Sequence, residues 1–297
     1  MSRIRPCIKW SGSKRSQSEE IVKRIDIQDG GTYYEPFLGG ASVFMQLYKD
    51  KEKNSKISRF VLSDYDLGLM NLWFAVRDDY EDVYKKYKSE WNILKGIDNW
   101  TDKRTRYERI REEYNRLREP ALFMFIMRVT TNGMPRYNQS GEFNNSLHIH
   151  RDGINPEELL SIMKEWSAVL NDKRVILKSG DYIDICKDNR QGDFIYMDPP
   201  YAHTKGMYEA EEFNADRWMT WMKQDVRCSY MFSYDGISGK HDNTVDTIDH
   251  SLYDTHEYLK SGNSSFKRIR MSDRGAMVYE SIYIKRKIMC YILEKKR

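Results

Sequence analysis

Short apolar runs along the chain are separated by longer stretches in which apolar residues recur at helical spacing. The short runs predict β-strands and the stretches between them predict helices, an alternation that is typical of an α/β sheet. Two runs lead into turns rich in proline or glycine, residues 35–40 and 198–201. Because open α/β sheets bind ligands beyond the carboxyl ends of their strands, we expect a site at that edge. The predicted strands cover residues 32–34, 59–63, 174–178, 194–197, 229–233 and 281–285.

From about residue 78 the pattern of residue types changes, and the new pattern predicts an insertion into the sheet domain. Charged residues, Tyr and Trp recur there at helical spacing, and no proline interrupts the pattern before Pro120. Residues 130–141 follow, where Asn-Gly and Ser-Gly pairs predict tight turns and a hairpin. We therefore expect a sheet domain formed by residues 1–77 and 161–297, with a second, smaller domain at 78–160.

Composition narrows the class of protein. The chain has 297 residues, 40% of them hydrophobic, and its net charge of +4 is compatible with a polyanionic partner. The four cysteines lack the spacing of metal ligands, so a reduced protein without structural zinc is expected. The longest apolar run, residues 121–127, is much shorter than the roughly 20 residues that cross a membrane. We expect action in the cytoplasm, without a membrane or a metal.

Asp198-Pro199-Pro200-Tyr201 follows the apolar run 194–197 and is the strongest chemical signal. The prolines fix the backbone, so the Asp198 carboxylate and the Pro199 carbonyl can be aimed at one point. An exocyclic amine on an aromatic base is a poor nucleophile, and two acceptors on its N–H groups return electron density to the nitrogen. Tyr201 offers a face on which an extruded base can stack. The tetrapeptide therefore predicts methyl transfer to such an amine.

Glu35-Pro36-Phe37-Leu38-Gly39-Gly40 follows the first predicted strand. Its glycines permit close approach of a ligand to the backbone, but the spacing is not that of a dinucleotide fingerprint. Asp64 ends the next strand, where a carboxylate can accept hydrogen bonds from ribose hydroxyls. Together the two features favour an adenosyl cofactor. Near the N-terminus, Lys14 could hold a carboxylate, although residues 9–15 taken alone favour a solvated basic arm.

Five segments, taken together and in order, resemble the Dam-type DNA adenine methylases. The resemblance implies the alpha arrangement of amino-methyltransferases, with the cofactor motif first, the target-recognition insert second and the catalytic motif last. It implies S-adenosylmethionine as cofactor and duplex DNA as partner. The implied fold is a Rossmann-like S-adenosylmethionine-dependent methyltransferase sheet with a helical target-recognition insert. The five segments are residues 9–14, 35–40, 132–137, 141–144 and 198–201.

The resemblance also implies roles for individual residues. Asp181 and Tyr182 would flank the adenine of the cofactor, and Arg136 would read a guanine, which suits the fork of a guanidinium. The remaining predicted cofactor residues are Trp10, Lys14, Glu35, Phe37, Gly39, Gly40, Asp64 and Asp198. The predicted DNA-binding residues are Lys9, Asn132, Met134, Arg136 and Tyr137.

Two departures bear on the target sequence. Thr131 stands where relatives often carry an aromatic residue, and Asn145-Ser146-Leu147 replaces their usual Val-Pro-Phe. GATC is the leading candidate by family, and a monomer or weak dimer acting near the nucleoid of a bacterial or phage-infected cell is expected. Whether the enzyme belongs to a restriction-modification system, works alone or is phage-borne stays open, as does phosphate binding by the basic loop 260–270.

Three other functions remain as alternatives at this stage. The same chemistry fits cytosine N4, although such enzymes more often carry Ser than Asp at the first position of the tetrapeptide. A catalytically silent DNA-binding relative would keep the fold and lose turnover. Amide methylation of a protein glutamine uses a related tetrapeptide that normally begins with Asn. A C5-cytosine enzyme would need a thiolate, and we expect Cys7 to pack in the core instead.

Overall fold

Strands of one mixed sheet form the centre of the protein. The computed structural model describes residues 5–200, 213–238, 241–242, 248–263 and 277–287. Each of the six predicted strands lies within a strand of the structure or overlaps it, and three further strands, β6, β7 and β8, were not predicted. The strands within these ranges are β1 Gly31–Glu35, β2 Ile57–Asp64, β3 Val175–Ser179, β4 Phe194–Met197, β5 Ser229–Tyr234, β6 Ile237–Ser238, β7 His241–Asp242, β8 Thr255–Asn263 and β9 Met277–Lys285.

The strand order is β3-β2-β1-β4-β5-β9-β6-β7, and β8 also pairs with β9. Strands β1 to β5 are parallel, whereas β9 runs antiparallel between β5 and β8. The carboxyl ends of the five parallel strands therefore meet at one edge of the sheet, and the beginning of β9 lies at the same edge. This arrangement confirms the predicted α/β class and gives the edge at which a site was expected.

Helices cover both faces of the sheet and form the insertion. Several begin with a side-chain cap: Asp66 accepts from the Leu69 N–H at 2.9 Å at the start of α4, and Asn155 accepts from the Glu157 N–H at 2.9 Å at the start of α7. The helices in the described ranges are α1 Ser18–Arg24, α2 Ser42–Lys49, α3 Lys51–Lys56, α4 Leu67–Lys95, α5 Trp100–Leu117, α6 Pro120–Val129, α7 Pro156–Leu170, α8 Tyr182–Cys186 and α9 Ala215–Gln224.

The insertion is helical, as its sequence predicts. Helix α4 runs from the sheet into the insertion and packs against α6 and α7, and its only non-helical residue is Asp79 (φ −150°, ψ 65°). Both boundaries drawn from the sequence, at 78 and 160, fall inside helices, because α4 and α7 each pass from the sheet layer into the insertion. Trp73 of α4 and Trp166 of α7 pack with ring centroids 4.9 Å apart, and both lie on the sheet side of these boundaries.

Alternate residues of the strands enter two separate cores, one on each face of the sheet. Tyr33 and Tyr196 pack on the face that the insertion continues, whereas Tyr34 and Ile195 pack on the face covered by α8 and α9. Fully burying one such side chain stabilises the fold by about 1.5–3 kcal/mol. Within the described ranges, no helix is long and apolar enough to span a membrane.

Candidate active site and DNA interface

The predicted cofactor and catalytic residues meet where the parallel strands end. Phe37 follows β1, Asp64 ends β2, Asp181 follows β3 and Asp198 follows β4. The segments after neighbouring strands are bonded to one another: the Leu38 N–H donates to the Ser63 carbonyl at 2.9 Å, and the Gly180 N–H donates to the Asp64 carbonyl at 3.2 Å. Residues distant in sequence thus form one continuous rim.

The glycine turn after β1 is bonded to Asp64 and covered by Trp10. The Gly39 N–H donates to Asp64 Oδ2 at 2.8 Å, and Trp73 Nε1 donates to the Gly39 carbonyl at 3.1 Å. A Cβ at Gly39 would come within 3.0 Å of Trp10 Cδ1, and one at Gly40 within 3.3 Å of Trp10 Cβ. Burial raises the pKa of Asp64 to about 7, against the Gly39 hydrogen bond, which lowers it.

Aromatic side chains form one wall of this rim. The rings of Phe37 and Tyr182 lie 5.4 Å apart, and Tyr182 also contacts Phe213 and Trp221. Phe37 is half-buried, so part of its ring faces outward, whereas Tyr182 is buried. Asp181 caps α8 by accepting from the Ile183 N–H at 2.9 Å. Its other oxygen pairs with Arg217 Nη1 at 2.6 Å.

Asp198 lies at the end of β4 in a charged cluster. Lys14 Nζ is 2.6 Å from a carboxylate oxygen of Asp198 and 2.9 Å from Glu280 Oε1. Although burial opposes the charged form of Lys14, the two carboxylates outweigh it and raise the lysine pKa. Pro199 is buried and Pro200 half-buried beside Asp198, as a rigid turn requires, whereas Tyr201 lies outside the described residues.

Glu35 is fully enclosed beneath the same cluster. Tyr33 Oη donates to Glu35 Oε2 at 2.7 Å. Burial is the main cause that raises the pKa of Glu35 to about 8, with a further contribution from the negative charge of Asp198. Glu35 is therefore largely protonated near neutral pH, in contrast to an exposed carboxylate.

Sequence reasoning missed Glu280. It lies near the start of β9, 82 positions after Asp198, and only the antiparallel direction of β9 brings it to the rim. The one available signal was a charged residue next to the apolar run 281–285, a position where an exposed side chain is the ordinary expectation. In the structure Glu280 is 8% exposed.

The segment from Lys9 to Lys14 also contacts the insertion. The Ser11 N–H donates to the Gly133 carbonyl at 2.8 Å. Gly133 has φ +62°, and a Cβ there would come within 2.8 Å of the Lys9 carbonyl oxygen, so the contact requires glycine. Lys9 Nζ is buried and makes no hydrogen bond within the described part of the chain. Lys9 and Asn132, both predicted to contact DNA, thus lie on adjoining segments.

The predicted hairpin is present as two isolated bridges, Thr130 with Leu147 and Tyr137 with Phe143. Arg136 is exposed near its tip, whereas Tyr137 Oη donates inward to Asp66 Oδ2 at 3.0 Å. Met134 is half-buried, and its carbonyl accepts from Asn145 Nδ2 at 2.9 Å. Of the predicted DNA-binding side chains, Arg136 is therefore the most accessible and Tyr137 has a partner within the protein.

The sequence predicts neither a metal site nor a catalytic thiolate at Cys7. Within the described residues, no group of three or more His, Cys, Asp or Glu is arranged to hold a metal ion. Cys7 is fully buried in the core, and burial raises its thiol pKa to about 12. The prediction that Cys7 packs in the core is confirmed.

Comparison with known proteins decides the family. A profile of the D12 class N6 adenine-specific DNA methyltransferases matches residues 10–271, most of the chain. The chain belongs to this family. The DNA adenine methylase of Serratia marcescens is 30% identical over 210 residues, which cover 68% of each chain. The Type II methyltransferase M.CviBI of Paramecium bursaria Chlorella virus NC1A is 29% identical over 67% of this chain and 69% of its own.

The chain spans about two thirds of the length of the relatives it matches. The Type II methyltransferase M1.LlaDCHI of Lactococcus lactis subsp. cremoris is 27% identical over 67% of this chain and 66% of its own. A solved rRNA methyltransferase, aviRa from Streptomyces viridochromogenes, gives a TM-score of only 0.38 at 11% identity, over 93% of this chain and 85% of that one. That likeness carries no weight.

Family membership confirms several predictions. The Dam-type family, the methyltransferase fold class and the class of adenine-specific DNA methyltransferase are those of the D12 class. Methylation of adenine N6 in DNA is this family's reaction, so adenine is confirmed over cytosine at the level of the family. A methyltransferase of this class acts on DNA, which confirms the predicted partner in outline.

Proposed function

We propose that this chain transfers the methyl group of S-adenosylmethionine to N6 of an adenine extruded from duplex DNA, with Asp198 as the central catalytic residue. The observation that carries the proposal is the position of Asp198. It follows β4, its carboxylate is held by Lys14, and Trp10 of the same N-terminal segment covers the glycine turn. The catalytic carboxylate and the cofactor residues therefore share one rim, as a direct methyl transfer requires.

The residues on the rim fit an adenosyl cofactor. Asp64 would accept hydrogen bonds from ribose hydroxyls, because the backbone N–H groups of Gly39 and Asp66 hold its two oxygens in place and each oxygen keeps a further lone pair. Phe37, Asp181 and Tyr182 would flank the adenine, with Phe37 supplying the half-exposed ring. Trp10, Gly39 and Gly40 would border the remainder. When bound, S-adenosylmethionine supplies a methyl group on a sulfonium, an electrophile that needs no metal.

The protein's part in the reaction is to orient the amine and to hold charge. The Asp198 carboxylate and the Pro199 carbonyl would accept the two N–H bonds of adenine N6, and Pro199 and Pro200 keep both acceptors in place. Tyr201 would stack on the extruded base. Lys14, predicted to line the cofactor pocket and to hold a carboxylate, is paired with Asp198 and Glu280, so its proposed role is to fix the catalytic carboxylate.

DNA would lie across the insertion and the N-terminal segment. Lys9 has a buried ammonium without a hydrogen bond among the described residues, and it adjoins the turn that carries Asn132 and Met134. Arg136 is exposed, and its guanidinium would fork onto a guanine. GATC remains the candidate target, and the relatives from bacteria and from a virus support action inside a bacterial or virus-infected cell.

Replacing Asp198 tests the proposal. Asp198→Ala removes the acceptor that activates N6, and we expect the single-turnover rate to fall by about 100-fold or more, as for loss of one oriented acceptor or donor at a reacting centre. Asp188→Ala, which removes an exposed carboxylate, is the control and should keep the wild-type rate. A folded Asp198→Ala protein with the wild-type rate would refute this mechanism.

A further inference from the structure

Glu280 is a buried carboxylate in the active-site cluster that sequence analysis gave no role. Its Oε1 lies 2.9 Å from Lys14 Nζ, and the same ammonium lies 2.6 Å from Asp198. The side chains of Lys14 and Glu280 are 6% and 10% exposed, and that of Asp198 is 20% exposed. One buried ammonium therefore connects a carboxylate on β9 with the carboxylate after β4.

The sheet fixes Glu280 from both sides. Glu280 pairs with Leu259 of β8, and the next residue, Ser281, pairs with Tyr234 of β5. The chain leaving β5 then passes directly over it, because a Cβ at Gly236 would lie 2.1 Å from the Tyr279 carbonyl oxygen and 2.8 Å from Glu280 Cα. Only glycine permits that approach, so the backbone at Glu280 is held at three places.

The negative charge of Glu280 affects Asp198 through the ammonium that the two carboxylates share. A lone Lys14–Asp198 pair in this enclosed site would let the ammonium neutralise the carboxylate that must accept a hydrogen bond from N6. Glu280, as a second carboxylate on the same ammonium, shares its charge and its hydrogen bonds, so the ammonium is held in place and neutralises Asp198 less completely. Removing Glu280 would leave Lys14 and Asp198 as a one-to-one buried pair, so the whole charge of the ammonium would act on Asp198.

We propose that Glu280 is a positioning residue for the methyl transfer: it anchors Lys14 so that the ammonium orients Asp198 without cancelling its acceptor strength. This inference rests on the proposed function, because it assigns Asp198 to the amine. Glu280 itself touches neither the base nor the cofactor in this role. Its effect should therefore appear in the rate of the chemical step and act through Lys14.

The first test compares three variants under single-turnover conditions with saturating DNA and S-adenosylmethionine. Glu280→Ala should lower the rate by about 10- to 100-fold, the size found when the partner that orients a metal ligand is lost. Glu280→Gln keeps a hydrogen-bond acceptor of the same size but not the charge, so its rate should fall between those of Glu280→Ala and the wild type. Glu257→Gln on neighbouring β8, where Glu257 pairs with Arg24 at a more exposed site, is the matched control and should keep the wild-type rate.

A double-mutant cycle with Lys14→Met separates positioning from a structural role. If Glu280 acts through Lys14, adding Glu280→Ala to Lys14→Met should cost no further rate. Equal losses in both backgrounds, or Glu280 variants within about twofold of the wild type, would overturn the inference while wild-type N6-methyladenine formation still supports the proposed function. A wild-type protein that forms no N6-methyladenine would overturn the proposed function, and this inference with it.

Discussion

Tyr137 is predicted to contact DNA, and its hydroxyl group is bonded inside the protein. It donates to Asp66, the buried residue that caps α4, and its ring packs edge-to-face on Phe143. Burial raises the pKa of Asp66, and the hydrogen bonds from the Leu69 N–H and Tyr137 oppose that increase. Tyr137 therefore fastens the hairpin to the start of α4, which leaves Arg136, the preceding residue, exposed.

Replacing Tyr137 by Phe should affect stability more than DNA recognition. Loss of a hydrogen bond to a buried carboxylate should lower the free energy of unfolding by about 1.5–3 kcal/mol, measured by urea denaturation. Arg136→Ala is the complementary variant, expected to keep stability and to lose discrimination at one base pair by about 1–3 kcal/mol. Weakened DNA discrimination in Tyr137→Phe with unchanged stability would contradict this assignment.

Asn145 is one of the departures from the family pattern, and its side chain makes hydrogen bonds within the protein. Its side-chain amide is buried and donates to the Thr131 carbonyl at 3.1 Å and the Met134 carbonyl at 2.9 Å. The valine that relatives usually carry could make neither bond. Asn145 therefore closes the turn that presents Asn132, a residue with φ 60°.

Asn145→Ala should loosen this turn and broaden the target sequence. Two carbonyls lose their donor, so the free energy of unfolding should fall by about 1–3 kcal/mol. Sequencing of genomic DNA methylated by the variant should reveal additional target motifs. Ser146→Ala, at the exposed neighbouring position, should keep the wild-type motif. An unchanged motif and stability in Asn145→Ala would exclude this role.

Single residues were predictable where a motif fixed their position relative to a strand end. Asp64 and Asp198 follow apolar runs directly, and the structure brings both to the rim. Glu280 was not predictable, since its place depends on a long-range antiparallel pairing that no local pattern encodes. The inward orientation of Tyr137 depends on packing against Phe143, which the motif alone does not reveal.

Among the contacts between whole elements, helix α6 holds the N-terminal segment in place. Arg128, near the end of α6, donates to the Pro6 carbonyl at 2.7 Å and also to the Cys7 carbonyl. Its side chain is enclosed, and burial lowers its pKa. Since the following residues carry Trp10 and Lys14, α6 indirectly places the cover of the glycine turn and the partner of Asp198.

Arg128→Met should therefore weaken cofactor binding from a distance. The Pro6 and Cys7 carbonyls lose their donor, and we expect a stability loss of about 1.5–3 kcal/mol together with a raised KM for S-adenosylmethionine. Thermal melting and initial-rate kinetics measure the two effects. The control is Arg109→Met, which changes an exposed arginine on α5. A stable Arg128→Met protein with an unchanged KM would show that the segment is placed by other contacts.

Elements were predictable where they bury an apolar run. The central strands β1, β2 and β4 do so, and their predicted extents are close to the observed ones. Strand β8 escaped prediction because it pairs with β9 alone and, among its residues with described side chains, only Leu259 is buried. Such a strand shows neither an apolar run nor clear alternation. Helix α4 begins at Leu67, before the predicted insertion, and its first turns carry mainly apolar residues that belong to the sheet core.

The stability of the whole molecule should depend on the titration of Glu35. Its folded pKa of about 8 lies above the ordinary value of 4.5, so the folded state retains a proton that the unfolded state loses. The stability that this retained proton gives to the folded state is fully present below about pH 4.5 and is lost as pH rises towards 8. Tyr33 and Asp198 are the charged or polar side chains that face Glu35 and affect its pKa.

Glu35→Gln removes this titration with little change of shape. Its free energy of unfolding relative to the wild type should increase between about pH 5 and pH 8, measured by urea denaturation in the absence of cofactor. Glu52→Gln, a change at an exposed position of α3, should follow the wild-type curve at every pH. Parallel curves for Glu35→Gln and the wild type would mean that Glu35 ionises normally in the folded protein.

The overall architecture followed from the order of motifs more than from local patterns. The first strands, the helical segment and the turn after β4 follow one another along the chain in the order that the motifs imply, and the family match covers residues 10–271. The division into domains remains a prediction, because the core on one face of the sheet continues into the insertion through α4, α6 and α7. Phosphate binding by the basic loop 260–270, which the sequence leaves open, would involve Lys267, Arg268 and Arg270, and these lie outside the described ranges.

The most direct test of the account is nucleoside mass spectrometry of unmodified genomic DNA after incubation with the purified protein and S-adenosylmethionine. The account predicts N6-methyladenine as the product, lost in Asp198→Ala, and confined to one short motif when the product is sequenced. N4-methylcytosine would contradict the assignment of the base, and absence of any methylated base despite cofactor binding would contradict the assignment of catalysis.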